Sequence, residues 1–257
     1  MSTFALVLSQ ARYANRSFWR NPAAAFFTFI FPLMFLIIFN LVFGDEDIEV
    51  EGGTVDTSAF YVPAILALAV INACYTALSQ IIVNLRDQGL LKRMRGTPLP
   101  PLAFIAGRIL QCIWVMTLLV VVVLAFGAIF YGVDVPTDRL PALVLALVFG
   151  AAAFCALGLA VTGFIPNADA APAVVNATIL PLLFISNVFI PTNTAPAWLN
   201  DFASIFPVVH LADSMHGVFN PFTTGNGIEI KDLAVLAAWA VVGSAIAARH
   251  FTWEPRR

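Results

Sequence analysis

The chain is short of charge. Asp, Glu, Lys and Arg make up 11% of its 257 residues, 60% are hydrophobic, and the mean hydropathy is +0.90. A water-soluble domain carries roughly a quarter charged residues, so a core wrapped in a polar surface is excluded. Lysine occurs only as Lys92 and Lys231. A phosphate-binding loop sets Gly immediately before its Lys, so that backbone N–H groups cradle the phosphates while the ammonium reaches them. Leu91 and Ile230 stand there instead, which excludes an ATPase of that kind. Cysteine occurs as Cys74, Cys112 and Cys155, each inside an apolar stretch. They read as small membrane-buried side chains, not a disulfide framework or a metal site. The chain has no His-Glu-x-x-His pair, no Gly-x-Ser-x-Gly elbow and no Asp-rich diphosphate motif. An intramembrane enzyme is therefore disfavoured, and no basic tract points to nucleic acid.

Charge is missing also where an ion-coupled carrier needs it. No charged residue lies between Ser58 and Leu85, or between Leu140 and Asn167. Such carriers place ionisable groups mid-membrane to bind the coupling ion. Sodium held by backbone oxygens stays open. Arg108 approaches the membrane only at the start of an apolar stretch, where it can snorkel.

The charges that are present are sorted. Apolar stretches at 23–43, 60–83, 109–131, 140–164, 170–190 and 233–248 divide the chain into polar segments. About 20 apolar residues cross a bilayer as a helix. The odd segments hold Arg12, Arg16, Arg20, Arg86, Lys92, Arg93, Arg95, Arg108, Arg249, Arg256 and Arg257; the even ones hold Arg139 and Lys231. Asp45, Glu46, Asp47, Glu49, Glu51 and Asp56 crowd the first even segment, which reads as a solvated acidic turn. Lys and Arg are retained on the cytoplasmic side during insertion. The expectation is an all-α membrane protein of six transmembrane helices, both termini cytoplasmic, with one transmembrane domain over 1–257. Residues 1–20 read as an interfacial helix rather than a cleavable signal, with Arg12, Arg16 and Arg20 on one face and Phe4, Val7, Leu8 and Ala11 on another. Segment 191–232 is apolar but cut by Pro191, Pro196, Pro207 and Pro221, which suggests re-entrant helices at the outer end. His210 and His216 lie within it and read as packing or interface hydrogen-bonding residues rather than metal ligands.

The inner loop at 86–98 is the most structured polar segment. Leu90, Leu91 and Met94 form one apolar face of a short helix, Lys92, Arg93 and Arg95 point elsewhere, and Gly96 and Pro98 stop it. On the second stretch, Asn72, Thr76 and Ser79 make a polar stripe, with Tyr75 and Gln80 beside it. Asn176 and Asn187 share a face of the fifth stretch, and Asn40 ends the first. Interhelical hydrogen bonding and a route for cargo are equally good readings of these uncharged polar groups.

The chain resembles the membrane subunit of type-2 ATP-binding-cassette exporters of the daunorubicin-resistance permease kind. The inner loop, from Asp87 through Gly89, Leu90, Leu91 and Met94 to Thr97-Pro98, is similar to that family's acid-x-x-Gly-Thr-Leu-x-x-Leu-x-x-Thr-Pro pattern, with Leu90 for the usual Thr and Met94 for the usual Leu. Pro196-Ala197-Trp198-Leu199 and Pro207-Val208-Val209-His210 resemble its Pro-x-Trp-Leu and Pro-hydrophobic-hydrophobic-His signature. The resemblance implies a coupling helix at Arg86, Asp87, Gly89, Leu90, Leu91, Arg93, Met94, Thr97 and Pro98 that docks on a cytoplasmic ABC ATPase present in two copies. ATP and Mg would sit on that partner and no cofactor on this chain. It implies a second permease copy, as homodimer or paralogous heterodimer, in a bacterial inner membrane whose lipids are further partners. The cargo path would run at the dimer interface along the first, second and fifth stretches, past Asn40, Asn72, Tyr75, Thr76, Ser79, Gln80, Asn176 and Asn187. Absence of charge along it points to hydrophobic or amphiphilic cargo: drug, lipid or glycolipid. An ATPase-independent carrier or lipid scramblase is the alternative.

Overall fold

The computed structural model describes residues 2–44, 47–50, 52–186, 188–189, 196–223 and 225–254. Caps and prolines set where its helices begin. Ser2 Oγ accepts the Ala5 N–H at 3.3 Å and opens α1 (Thr3–Trp19). Asn21 Oδ1 does the same for Ala24 at 3.2 Å, and Pro22 fills the first turn of α2 (Pro22–Phe43). Then α3 (Thr57–Ile71), a π-helical turn (Asn72–Ala77) and α4 (Leu78–Asp87) form one rod of 31 residues. A short α5 (Leu90–Arg95) leads to α6 (Pro101–Tyr131) and α7 (Leu140–Thr162). The chain closes with α8 (Ala171–Phe184), α9 (Ala197–Ala203), α10 (Pro207–Phe219) and α11 (Ile230–His250).

Among the described residues, five helices are long and apolar enough to cross a membrane: α2, the α3–α4 rod, α6, α7 with the turn before it, and α11. The fifth expected span, 170–190, is not among them in the described residues. Its helix is the 14 residues of α8, about 21 Å at 1.5 Å per residue, short of the roughly 30 Å hydrocarbon layer. Pro181 sits in its last turn, and the helix stops at Ile185. Two short helices, α9 and α10, occupy the described part of segment 191–232, and neither is long enough to cross.

The fold is mostly helical, as expected of an all-α membrane protein, with one small hairpin that was not expected. β1 (Asp47–Val50) and β2 (Gly53–Asp56) pair antiparallel, with Asp47 opposite Asp56. Ile48, Val50 and Val55 pack on the core while Asp47, Glu49, Thr54 and Asp56 face out. The period-two alternation was there to be read, but the density of carboxylates suggested only a solvated turn. Gly52 turns the hairpin at φ +99, and the Phe222 side chain lies where a Cβ on either Gly52 or Gly53 would stand.

Contacts define two ends. At the basic end, α1 lies along the start of α6, so close that a Cβ on Gly107 would come 2.5 Å from Gln10 Cβ. This support lets α6 begin at Pro101, ahead of the expected 109. Lys92 pairs with Glu254 at 3.6 Å, which brings the C-terminal segment beside α5. At the acidic end, Thr57 Oγ1 donates to Phe43 O at 2.6 Å and Trp239 Nε1 to Ile205 O at 2.9 Å. The rod forms the centre. Every residue of α3 from Phe60 to Ile71 is buried among α2, α6, α7 and α10. A helix buried on all sides needs apolar residues all round. From the acidic end, α10 pushes in until Leu211 meets Gly150, where a Cβ would come within 2.6 Å of it. Gly150 lies ten residues, about 15 Å, down α7.

Candidate functional site

The elbow between rod and α6 is built on glycine. Gly89 has φ +70, a conformation strained for any L side chain, and its carbonyl accepts the Arg93 N–H at 3.1 Å. Thr97 Oγ1 donates to Met94 O at 2.7 Å, and Pro98 follows. The expected apolar ridge of Leu90, Leu91 and Met94 is corrected. Leu91 is 0% exposed within its own chain, and Leu90 and Met94 are half-buried. Burying a Leu is worth about 1.5–3 kcal/mol, so α5 turns its apolar face inward. Its outward face is Lys92, Arg93 and Arg95, with Thr97 and Pro98 exposed beside them. Arg93 and Arg95 have no ion pair among the described residues.

Arg86 is 1% exposed. Its Nη1 donates to Thr162 O at 2.9 Å and its Nη2 to Ile165 O at 2.7 Å and Pro166 O at 3.2 Å. Thr252 Oγ1 lies 3.5 Å from Nη1, and Asp87 Oδ1 lies 3.5 Å from Nε. Asp87 Oδ2 accepts the Ala168 N–H at 2.5 Å. A buried cation thus gathers carbonyls at the C-terminal end of α7, where the helix dipole is negative. The pair fastens the elbow to the 163–170 loop and to the C-terminal segment. Both residues were assigned to docking; their placement makes them a clamp within the chain.

The polar stripe divides. Asn72, Thr76 and Gln80 recur every four residues and are half-buried, while Ala73, Cys74, Tyr75, Leu78 and Ser79 between them are buried. Thr76 Oγ1 is enclosed with no hydrogen-bond partner among the described residues. Tyr75 turns to α8, its hydroxyl 2.6 Å from Thr178 Oγ1. Ser79 turns to α7, its Oγ 2.5 Å from Tyr75 O and 2.9 Å from Gly158 O. Asn40 Nδ2 donates to Leu36 O in its own helix at 2.9 Å. Asn176 is exposed on α8, and Asn187 lies outside the described residues. The flanking helices leave apolar side chains uncovered, among them Phe27, Phe31 and Ile38 on α2 and Leu180 and Phe184 on α8.

Two further polar groups tie the acidic end together, and of these only Arg139 escaped the sequence reading. Arg139 donates to Val218 O at 3.3 Å and Asn220 O at 2.7 Å through Nη1, and to Thr223 O at 2.7 Å through Nη2. It closes the C-terminal end of α10, and its isolation among acids was the available signal. His210 is fully engaged: Nε2–H donates to Ser204 O at 2.7 Å, and Nδ1 lies 2.7 Å from Asp232 Oδ1. The hydrogen bond to Asp232 outweighs burial and raises the His210 pKa above its ordinary 6.5; the Ser204 carbonyl and Asp213 add to the rise. Protonation therefore stabilises the folded state. The contribution is complete below about pH 6.5 and is lost as pH rises through the raised value. Melting of the detergent-solubilised protein is expected to occur at lower temperature at about pH 9 than at about pH 6, and His210→Gln to flatten that dependence. An unchanged slope in the variant would show the pair to be idle.

Residues 6–220 match the family model described as ABC-2 type transporter. The daunorubicin resistance ABC transporter permease protein DrrB1 of Streptomyces coeruleorubidus is 25% identical over 213 residues, which is 79% of this chain and 72% of the relative. The family match begins in α1 and ends just past α10, so it takes in the elbow, the Arg86 clamp and the polar stripe. With its apolar helices and a family match over most of its length, this multi-pass membrane chain belongs to the ABC-2 type transporter family.

Proposed function

We propose that this chain is the membrane half of an ATP-driven exporter, moving hydrophobic or amphiphilic compounds (drug, lipid or glycolipid) out of the cytoplasm or inner leaflet. The positive-inside rule puts the basic end in the cytoplasm of a bacterial cell membrane. There α5 meets a separate ABC ATPase, present in two copies, which holds ATP and Mg. Arg93 and Arg95 offer it charge, and the outer parts of Leu90 and Met94 offer it apolar surface. The observation that carries this reading is the clamp. Because Arg86 and Asp87 bind the elbow to the α7–α8 loop, a displacement of α5 reaches the rod, α7 and α8 together. The half-buried line of Asn72, Thr76 and Gln80, between the uncovered faces of α2 and α8, supports a path completed by a second permease copy. The traverse begun by α8 supplies the sixth crossing, and α10 enters from the outer side without spanning. The resistance role in the relative's name is what favours drug-like cargo.

A tagged chain co-expressed with its ATPase tests this. Charge reversal by Arg93→Glu with Arg95→Glu is expected to cut ATPase recovery at least about tenfold, the loss of roughly 1.4 kcal/mol that a pair of close contacts supplies, with insertion unchanged. Undiminished recovery would count against docking through α5. Leu91→Asp is a poorer probe, because it places a carboxylate in this chain's own core.

A further inference from the structure

Both ring nitrogens of His210 face oxygen, and the residue is only 3% exposed. Nε2 lies 2.7 Å from Ser204 O, and Nδ1 lies 2.7 Å from Asp232 Oδ1. A peptide carbonyl and an ionised carboxylate only accept hydrogen bonds, and a neutral imidazole has a single N–H to give. A neutral ring would set one lone pair against an oxygen at hydrogen-bond distance. The imidazolium, with two N–H groups, satisfies both contacts. The other place for the second proton is Asp232. A carboxylic acid gives up its proton more readily than an imidazolium does, and Asp232 stands in the first turn of α11, where the helix dipole favours a carboxylate. The proton therefore rests on the ring, and the same contacts hold the His210 pKa above its ordinary value.

The surroundings leave Asp232 as the deciding neighbour. α3, α7 and α8 pack against α10 and carry no charged residue. Asp201 of α9 and Glu229 and Lys231 beside Asp232 are exposed. On α10 itself, Asp213 adds to the field that favours the cation, and the His216 ring is stacked on Phe60 at 4.5 Å. The dipole of α10 opposes a cation in its first turn, so the charge on His210 depends on the carboxylate. The contacts join three helices. Ser204 ends α9, His210 lies in the first turn of α10, and Asp232 lies in the first turn of α11. The next residue along α10, Leu211, is 0% exposed and reaches Gly150. The imidazolium thus holds the helix that enters the bundle from the acidic end.

We infer that His210 and Asp232 form a proton-binding site that locks α10: with the proton bound, α9, α10 and α11 are fastened at one corner, and without it the start of α10 comes loose from the other two. Loss of the proton leaves one ring nitrogen with a lone pair toward oxygen and removes the charge pair. The proton passes to water beside Asp232, whose side chain is 13% exposed. The bond from Trp239 Nε1 to Ile205 O and the closure of the far end of α10 by Arg139 do not involve the ring. Release is therefore local to the start of α10. That the site faces outward rests on the membrane orientation proposed above; the proton chemistry does not, and its measurement needs neither ATPase nor cargo.

Nitrogen NMR of the detergent-solubilised chain, labelled on histidine alone, reads the site directly. The sequence has three histidines, His210, His216 and His250, and loss of one signal in His210→Gln assigns it. At about pH 7, above the ordinary histidine value of about 6.5, both His210 nitrogens are expected to carry protons. In Asp232→Asn at the same pH, one of them is expected to be bare. Hydrogen exchange, corrected for the pH dependence of exchange itself, reads the lock. Between about pH 6 and about pH 9, amides at 210–214 are expected to lose protection at least about tenfold, the factor that one hydrogen bond to a charged group is worth. Amides of α3 are expected to keep theirs, and Asp232→Asn to move the loss to lower pH. A neutral His210 in the wild type at about pH 7, or a loss of α10 protection as steep in His210→Gln as in the wild type, would each overturn the site. Should His210→Gln aggregate, Asp232→Asn assigns the signal by its shift and supplies the comparison of pH courses.

Discussion

Methionine in place of Arg86 is expected to cost about 3–5 kcal/mol and to lower the melting temperature in detergent by roughly 10 °C. The substitution keeps an unbranched apolar stem in the same space, so packing is not what changes. What changes is that Thr162, Ile165 and Pro166 carbonyls lose their donor and Asp87 loses its cation. Hydrogen bonds to charged groups are worth about 1.5–3 kcal/mol each, and orphaned buried acceptors add their desolvation penalty. ATP-driven transport in reconstituted vesicles is expected to fall to background, because α5 would then move without α7 and α8. Arg86→Lys should fall between: one ammonium cannot reproduce the fork that serves three carbonyls. A variant that melts and transports as wild type would mean the clamp carries no force.

Leucine at Gly158 is expected to be nearly as damaging, for a steric reason. The Gly158 backbone lies against the π turn so closely that a Cβ would come 2.9 Å from Cys74 O, 3.1 Å from Tyr75 O and 3.2 Å from Ser79 Oγ. Two of these atoms belong to the backbone and cannot swing aside. Overpacking costs about 1–3 kcal/mol where side chains can adjust, so the upper end or more is expected here. Gly158→Leu also removes the 2.9 Å contact between Ser79 Oγ and Gly158 O by pushing the helices apart. π turns recur at functional positions within helices, and this one carries Asn72 and Thr76 of the polar stripe. Melting temperature and dye efflux should both drop for Gly158→Leu and less for Gly158→Ala. Wild-type melting for the leucine variant would show that α7 is not seated on the π turn.

Some of this was written in the chain. The apolar stretches marked α2, the rod, α6, α7 and α11, because their lengths alone meet the thickness of a bilayer. Asn21 and Pro22 marked the start of α2. Gly89, Thr97 and Pro98 marked an elbow. Hydropathy missed the hairpin at 47–56, where Ile48, Val50 and Val55 among Asp47, Glu49, Glu51 and Asp56 average to a polar loop. It also overran α8, since Pro181 in a uniformly apolar stretch changes the helix without changing the average.

The sequence by itself determined the membrane class, the segregation of basic from acidic ends and the lack of a phosphate-loop Gly-Lys pair. Each of these is a property of residues taken singly: transfer to lipid adds up along the chain, and a missing Gly-Lys pair is missing in any fold. Only tertiary structure decided which face of α5 is offered outward, that Arg86 is buried against the carbonyls at the end of α7, and that Ser79 joins α7 while Thr76 Oγ1 has no hydrogen-bond partner among the described residues. Those outcomes depend on groups 76 to 80 residues apart in the chain meeting within 3.2 Å. A periodic pattern shows that a helix has two faces. Which of them is covered is settled by the competing burial of every neighbour at once.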